Sequence, residues 1–71
     1  MLVESNFTFE LIWAASMGDI TEVRKNITLG ADVNKGDYDH RTALRLAAAE
    51  GQEDIVKYLI NRGADVNKKD R

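Results

Sequence analysis

The sequence predicts an all-α repeat protein, a solenoid of two helix–turn–helix units. The chain has 71 residues and repeats itself at a spacing of 33, and the string GADVNK occurs at 30–35 and again at 63–68. A fixed period of this length is typical of repeat architectures. Of 32 positions compared at this spacing, thirteen are identical: Leu11/Leu44, Ala14/Ala47, Ala15/Ala48, Gly18/Gly51, Val23/Val56, Ile27/Ile60, Gly30/Gly63, Ala31/Ala64, Asp32/Asp65, Val33/Val66, Asn34/Asn67, Lys35/Lys68 and Asp37/Asp70.

Composition excludes several classes of protein. There is no Cys, so the chain has no disulfide framework and no thiolate metal site. Ten Lys and Arg face twelve Asp and Glu, and this balance gives no basic field for a nucleic acid. No apolar stretch approaches the roughly 20 residues that span a bilayer. We therefore expect a folded protein that binds neither nucleic acid nor membrane. Its expected compartment is the cytoplasm, and the nucleus is an alternative.

The repeat divides the chain into three parts. Residues 1–6 form an N-terminal lead-in, and residues 7–38 form the first unit. Residues 39–71 form the second unit and end at the opening of a third.

The first unit is expected to cap the array. Its inner helix should end at Gly18, and Asp19 with Glu22 forms a variant of the capping box for the outer helix. Glu22 and Asn26 stand where the second unit has Ile55 and Leu59. A polar outer face is what a terminal repeat requires, so this unit is predicted to be the N-terminal cap.

The second unit follows the same plan with clearer helix signals. Thr42 is a natural N-cap for a helix over 43–50, because its hydroxyl can accept an amide hydrogen of the first turn. Gly51 supplies the left-handed residue that ends this helix, and Gly63 ends the next one. The second helix carries an apolar stripe at helical spacing, formed by Ile55, Val56, Leu59 and Ile60.

These residues resemble the ankyrin-repeat family. TALRLAAAEG at 42–51 stands where the family usually has TPLHLAA followed by Gly, and DIVKYLINRGADVNKKD at 54–70 is close to the family consensus. Ala43 replaces the usual Pro and Arg45 the usual His. His40 stands where the family prefers Gly, so we expect a strained backbone there.

A narrower resemblance concerns the segment DYDHRTALRLAAAEG at 37–51. It is similar to the ankyrin segment that follows the catalytic domain in glutaminases and some asparaginases, and similar strings occur in plant potassium channels. This resemblance implies a second function, in which the chain is a structural or oligomerisation segment of a larger, glutaminase-like enzyme.

The sequence offers no catalytic constellation of its own. There is a single His, no Cys, and no GxSxG or HExxH string. We therefore predict no catalytic residue, no metal ligand and no cofactor. The resemblance does imply one candidate for modification, since the family can be hydroxylated on the Asn of its turn and Asn67 fits that pattern. The alternative is that Asn67 hydrogen-bonds within its own turn.

The remaining function is recognition of another protein, whose identity the sequence does not give. The resemblance implies contacts from turn tips and inner-helix ends on a concave face, with solvated turn residues as the alternative. Trp13 and Phe9 are expected to pack in the core or cap instead. Tyr and Arg often dominate interface energy, and Tyr38 and Arg41 are therefore the favoured candidates. The candidate partner-binding residues are Tyr38, Asp39, Arg41, Ala49, Glu50, Arg62, Lys69 and, in the first unit, Met17.

The C-terminal side of the second unit is expected to be open. Parts of Leu46, Ala47 and the stripe over 55–60 would then have no cover. Two explanations remain at this point: the chain is a piece of a longer array, or this edge pairs with another copy of the chain.

Overall fold

The computed structural model describes residues 7–67, which form four α-helices. They are α1 (Thr8–Met17), α2 (Ile20–Thr28), α3 (Ala43–Ala49) and α4 (Glu53–Asn61). Helix α1 packs against both α2 and α3, and α3 packs against α4, whereas α2 and α4 touch less. The first helix pair (α1, α2) and the second (α3, α4) therefore stack side by side, with α1 and α3 as the inner layer. Over the described residues, the all-α prediction is confirmed.

Short local signals set the helix starts. The Thr42 hydroxyl accepts the Arg45 amide hydrogen at 3.2 Å, as predicted for an N-cap. The Asp19 carboxylate accepts the Glu22 amide hydrogen at 3.2 Å, which is one half of a capping box. The Asp19 amide itself donates to the Ala14 carbonyl of the preceding helix at 3.0 Å. One residue thus closes α1 and opens α2.

Glycines end the helices where the sequence places them. Gly18 and Gly51 adopt left-handed φ values of 78° and 70° just after the inner helices. This conformation costs little for glycine because it has no Cβ. The equivalent turns of the two pairs therefore share one backbone geometry, as the 33-residue period predicts.

The hydrophobic core lies between the two helix pairs. Ile55 and Leu59 of α4 are almost completely buried, and they belong to one core cluster with residues of the first pair. Their equivalents one period earlier are Glu22 and Asn26, on the side of the first pair that faces away from the second. The full buried apolar set is Leu11, Ile12, Ala14, Ala15, Val23, Ala31, Ala43, Ala47, Ile55, Leu59 and Ala64.

Asn34 ties the turn after the first pair to the turn after the second. Its side-chain nitrogen donates to the Gly63 carbonyl at 3.1 Å, and its side-chain oxygen accepts the Asp65 amide hydrogen at 2.7 Å. Asn67 occupies the same place one period later. Its backbone amide donates to the Asp65 carboxylate within its own turn at 2.9 Å. Its side chain has no hydrogen-bond partner among residues 7–67, so the own-turn bond is made by the Asn67 backbone amide and not by the Asn67 side chain.

This pair of asparagines offers a matched test. Asn34→Ala is expected to lower the free energy of unfolding by about 1 kcal/mol, since two inter-turn hydrogen bonds are lost. Asn67→Ala should change it by less than about 0.5 kcal/mol, because the Asn67 side chain makes no comparable bond within the described part of the chain. Urea titration followed by circular dichroism measures both. Equal losses in the two variants would contradict the bridging role of Asn34.

His40 has the strained backbone that the resemblance to the ankyrin family implies. Its φ is 63°, in the left-handed region that favours glycine. Phe7, one period earlier, shows the same feature with a φ of 59°. Both lie at the turn position where the ankyrin family prefers glycine.

Candidate functional site

A compact turn precedes α3 and is organised by one carboxylate. The Asp37 Oδ1 atom accepts the amide hydrogens of Asp39 at 2.8 Å and Arg41 at 2.9 Å. The Arg41 guanidinium donates through Nε to Asp37 Oδ2 at 3.1 Å, and its Nη2 lies 3.0 Å from the same oxygen. Nη2 also lies 3.2 Å from Asp39 Oδ2. The turn over 37–41 is therefore held in one conformation by its own side chains.

These contacts hold the pKa of Asp37 below its ordinary value of 3.8. The largest cause is the hydrogen bond from the Arg41 backbone amide, and the Arg41 side chain and the Asp39 amide add to it; partial burial of the carboxyl opposes them. Each donor favours the charged carboxylate over the neutral acid. The turn is thus built around an ionised Asp37.

The lowered pKa predicts a loss of stability in acid. As the pH falls below 3.8, the unfolded chain takes up the Asp37 proton before the folded chain does, so the free energy of unfolding decreases. Asp37→Asn should be less stable at neutral pH and should show a shallower loss between about pH 5 and pH 2.5. Urea titrations across this pH range measure the difference. Parallel pH dependences for the two proteins would contradict the prediction.

Tyr38 projects from the tip of this turn. It is 91% exposed, the highest value for any large apolar or aromatic residue described. Its ring stacks on Phe9 of α1, with 5.5 Å between the centroids and 27° between the planes. The expectation that Phe9 and Trp13 pack in the core or cap is wrong, because both are exposed. Each lies on the side of α1 that turns away from Leu11 and Ala15, which carry the packing.

The other candidate residues take separate positions. Ala49 and Glu50 are exposed at the C-terminal end of inner helix α3. Met17 is exposed at the equivalent end of α1. Arg62 caps the end of outer helix α4 and so lies in the other layer. Lys69 lies outside the described residues, and the binding role of all these positions stays a prediction.

The open C-terminal edge differs from the expected one. Ala47, Ile55 and Leu59 are not uncovered, because they are buried in the core cluster. The residues that are less buried in the second pair are instead ones that have an identical residue 33 positions earlier, in the first pair. Leu11, Ala15 and Val23 are completely buried, while their equivalents in the second pair are half-buried or exposed. The open edge consists of Leu44, Ala48, Val56, Ile60 and Val66.

The paired helices and the repeated turns are those of a helical repeat protein. A family model described as ankyrin repeats matches residues 4–70, so the chain belongs to the ankyrin-repeat family. Domains of this family are typically non-catalytic and generally bind other proteins. Over residues 7–67, no helix is long and apolar enough to cross a membrane.

Similar segments occur in proteins of several kinds. The chain is 44% identical over 61 residues to serine/threonine-protein kinase 12 of Arabidopsis thaliana, covering 86% of this chain and 13% of the kinase. It is 45% identical over 58 residues to putative glutaminase 2 of Caenorhabditis elegans, covering 80% and 10%. It is 40% identical over 65 residues to the putative ankyrin repeat protein YahD of Escherichia coli (strain K12), covering 92% and 32%. The chain thus spans about a third or less of each relative, and the narrower resemblance to glutaminase segments is confirmed.

Proposed function

We propose that the chain binds a segment of another protein across the surface formed by the turn over 37–41 and the exposed end of α3. The observation that carries this proposal is Tyr38, an almost fully exposed aromatic residue on a turn whose backbone is fixed by Asp37. A rigid, exposed Tyr contributes contact area with little loss of conformational entropy. Binding there requires no rearrangement of the turn.

Arg41 has a different part in this proposal. Its guanidinium is engaged by Asp37 and Asp39 and remains about half exposed. It therefore supports the turn and presents only one side to a partner. A variant at Arg41 changes stability and binding together, so Tyr38 is the cleaner position to test.

The test is capture of partners from the source cell followed by affinity measurement on the captured protein. Tyr38→Ala and Ala49→Arg should each weaken binding at least about tenfold, as expected for a central contact and for steric blockage of the surface. Lys57→Ala on outer helix α4 is the matched control and should leave the affinity unchanged. The melting temperature should stay constant in Tyr38→Ala. Equal affinities in all four proteins would overturn the proposal.

A second candidate function is stacking within a larger assembly. The open edge supports it, because half-buried Val56 repeats Val23, which is completely buried, and Ile60, which is 45% exposed, repeats the half-buried Ile27. The side chain of Asn67 also repeats a bridging residue without a partner among residues 7–67. In this function the chain is a structural segment of a longer array or enzyme, or it pairs with its own copy.

Analytical ultracentrifugation at a chosen concentration of about 10 µM distinguishes pairing between copies from membership of a longer array. A dimer that Ile60→Lys abolishes would support pairing between copies. A single 8.0 kDa species that melts cooperatively would contradict pairing and leave the longer array. Appending a copy of residues 36–67 after Lys68 should then raise the melting temperature, and no rise would contradict the array.

A further inference from the structure

An exposed apolar stripe runs along α1, beside the groove between α1 and α2. It consists of Phe9, Trp13 and Met17, which are 48%, 68% and 63% exposed. Residues four apart lie on one side of a helix, one turn above another. The stripe therefore spans about 12 Å, because eight residues rise about 1.5 Å each. Large side chains exposed in a row, rather than singly, indicate an interaction surface.

The stripe forms one wall of a groove between α1 and α2. Ala14 and Asn26 lie at its floor, both at most 5% exposed, and Leu29 lies at its α2 side. The groove has a volume of about 700 Å³. A helix lying over the stripe would have its axis about 8–10 Å from that of α1, the usual spacing of packed helices.

Acidic and hydrogen-bond-accepting groups line the same groove. Glu10, Asp19 and Glu22 contribute three carboxylates against the single ammonium of Lys25. Lys25 lies 4.0 Å from Glu22 with both side chains largely exposed, so this pair holds neither group firmly. The Asn26 side-chain nitrogen donates to the Glu22 carbonyl at 2.9 Å, which leaves the side-chain oxygen as an acceptor. The groove therefore offers acceptors and negative charge to its occupant.

A second copy of this chain fits the groove poorly. In the second helix pair the equivalent positions are Ala43, Ile55 and Leu59, all buried against the first pair. In the groove these places hold Glu10, Glu22 and Asn26. If the apolar C-terminal edge of another copy docked here, it would remove carboxylates from water without giving them a partner, which is costly. Head-to-tail stacking of copies is thus disfavoured.

We propose that this groove binds an amphipathic helix of a partner protein that carries Arg or Lys beside its apolar face. The apolar side chains of that helix would cover Phe9, Trp13 and Met17. Its cations would lie opposite Glu10 and Glu22, and an Arg could also donate to the Asn26 oxygen. This is the helix-in-groove mode of recognition. It goes beyond the proposed function, because the groove lies on the first helix pair and no residue of the turn over 37–41 lines it, although Phe9 of the stripe also stacks on Tyr38.

Trp13 is the reporter for the test, since it is the only Trp of the chain. Burial of its indole moves the fluorescence emission to shorter wavelength. The full chain is titrated with an 18-residue helical peptide of our design that has Leu along one face and Lys along the others, and with the same peptide carrying Glu for Lys. We expect a saturable blue shift with the Lys peptide and at least about tenfold weaker binding of the Glu peptide.

Two matched charge variants locate the site. Glu10→Lys should weaken binding of the Lys peptide about fivefold or more, because it reverses a charge beside the stripe. Glu53→Lys makes the same change in the first turn of α4, outside the groove, and should leave the affinity unchanged. Ala49→Arg, which blocks the surface of the proposed function, should also have no effect on the peptide.

Several results would overturn the proposal. One is equal affinity for the two peptides, and another is equal loss in Glu10→Lys and Glu53→Lys. A larger blue shift with phosphatidylserine vesicles than with the Lys peptide would indicate a membrane surface. An emission that is already blue in the free chain, and that moves red in a Leu2→Ser, Val3→Ser variant, would assign the groove to the chain's own first residues.

Discussion

Replacing Leu59 with alanine is expected to lower the free energy of unfolding by about 2–5 kcal/mol. Leu59 is 0% exposed and belongs, with Ile55, to the core cluster that the two helix pairs share. A chain of this size has a stability of only a few kcal/mol. The variant should therefore lose its cooperative urea transition and most of its helical circular dichroism at 222 nm.

The next residue along α4 is the control. Ile60 is 45% exposed and lies on the open edge. Ile60→Ala should cost less than about 1 kcal/mol, because it leaves no enclosed cavity. Equal destabilisation by the two variants would mean that α4 packs with a different side inward.

Replacing Gly36 with alanine is expected to cost about 1–3 kcal/mol. A Cβ at this position would lie 2.7 Å from the carbonyl carbon of His40 and 2.8 Å from its Cα. These are backbone atoms, and they cannot move without disturbing the turn that Asp37 holds. The expected result is a lower urea midpoint for unfolding. The turn that carries Tyr38 should also be less firmly fixed.

Lys35→Ala is the matched control for Gly36→Ala. Lys35 is the exposed neighbour in the same turn, and its substitution should change the free energy of unfolding by less than about 0.5 kcal/mol. A cost below that value for Gly36→Ala as well would show that the turn is able to shift away from His40. The close approach of the Gly36 and His40 backbones would then make no measurable contribution to the free energy of unfolding.

Local features of this fold could be predicted from the sequence alone. The Thr42 and Asp19 caps and the left-handed glycines depend on hydrogen bonds and backbone angles within a few residues. The left-handed φ of His40 is also local, but its prediction came from the resemblance to the ankyrin family, which prefers glycine at that place. Such features do not depend on which neighbour covers a helix.

The exposure of the aromatic residues could not be predicted in this way. Trp13 aligns with Leu46 and was therefore expected to be packed. Leu46 has a helix pair before it in the stack, whereas no helix pair precedes that of Trp13 among residues 7–67. The stripe on α1 was missed for the same reason. The i, i+4 spacing of Phe9, Trp13 and Met17 was a signal that could have revealed it.

The sequence by itself determined the four helices, their turns and the 33-residue period, because each arises from short-range hydrogen bonding and apolar spacing. Only the tertiary structure decided which copy of an identical pair is buried. Leu11 and Leu44 share a residue type and a place in the repeat, and so do Val23 and Val56. The first of each pair has a neighbouring helix pair to exclude water, and the second lies at the open edge. Burial is a property of the stack, and so are the open edge and the groove.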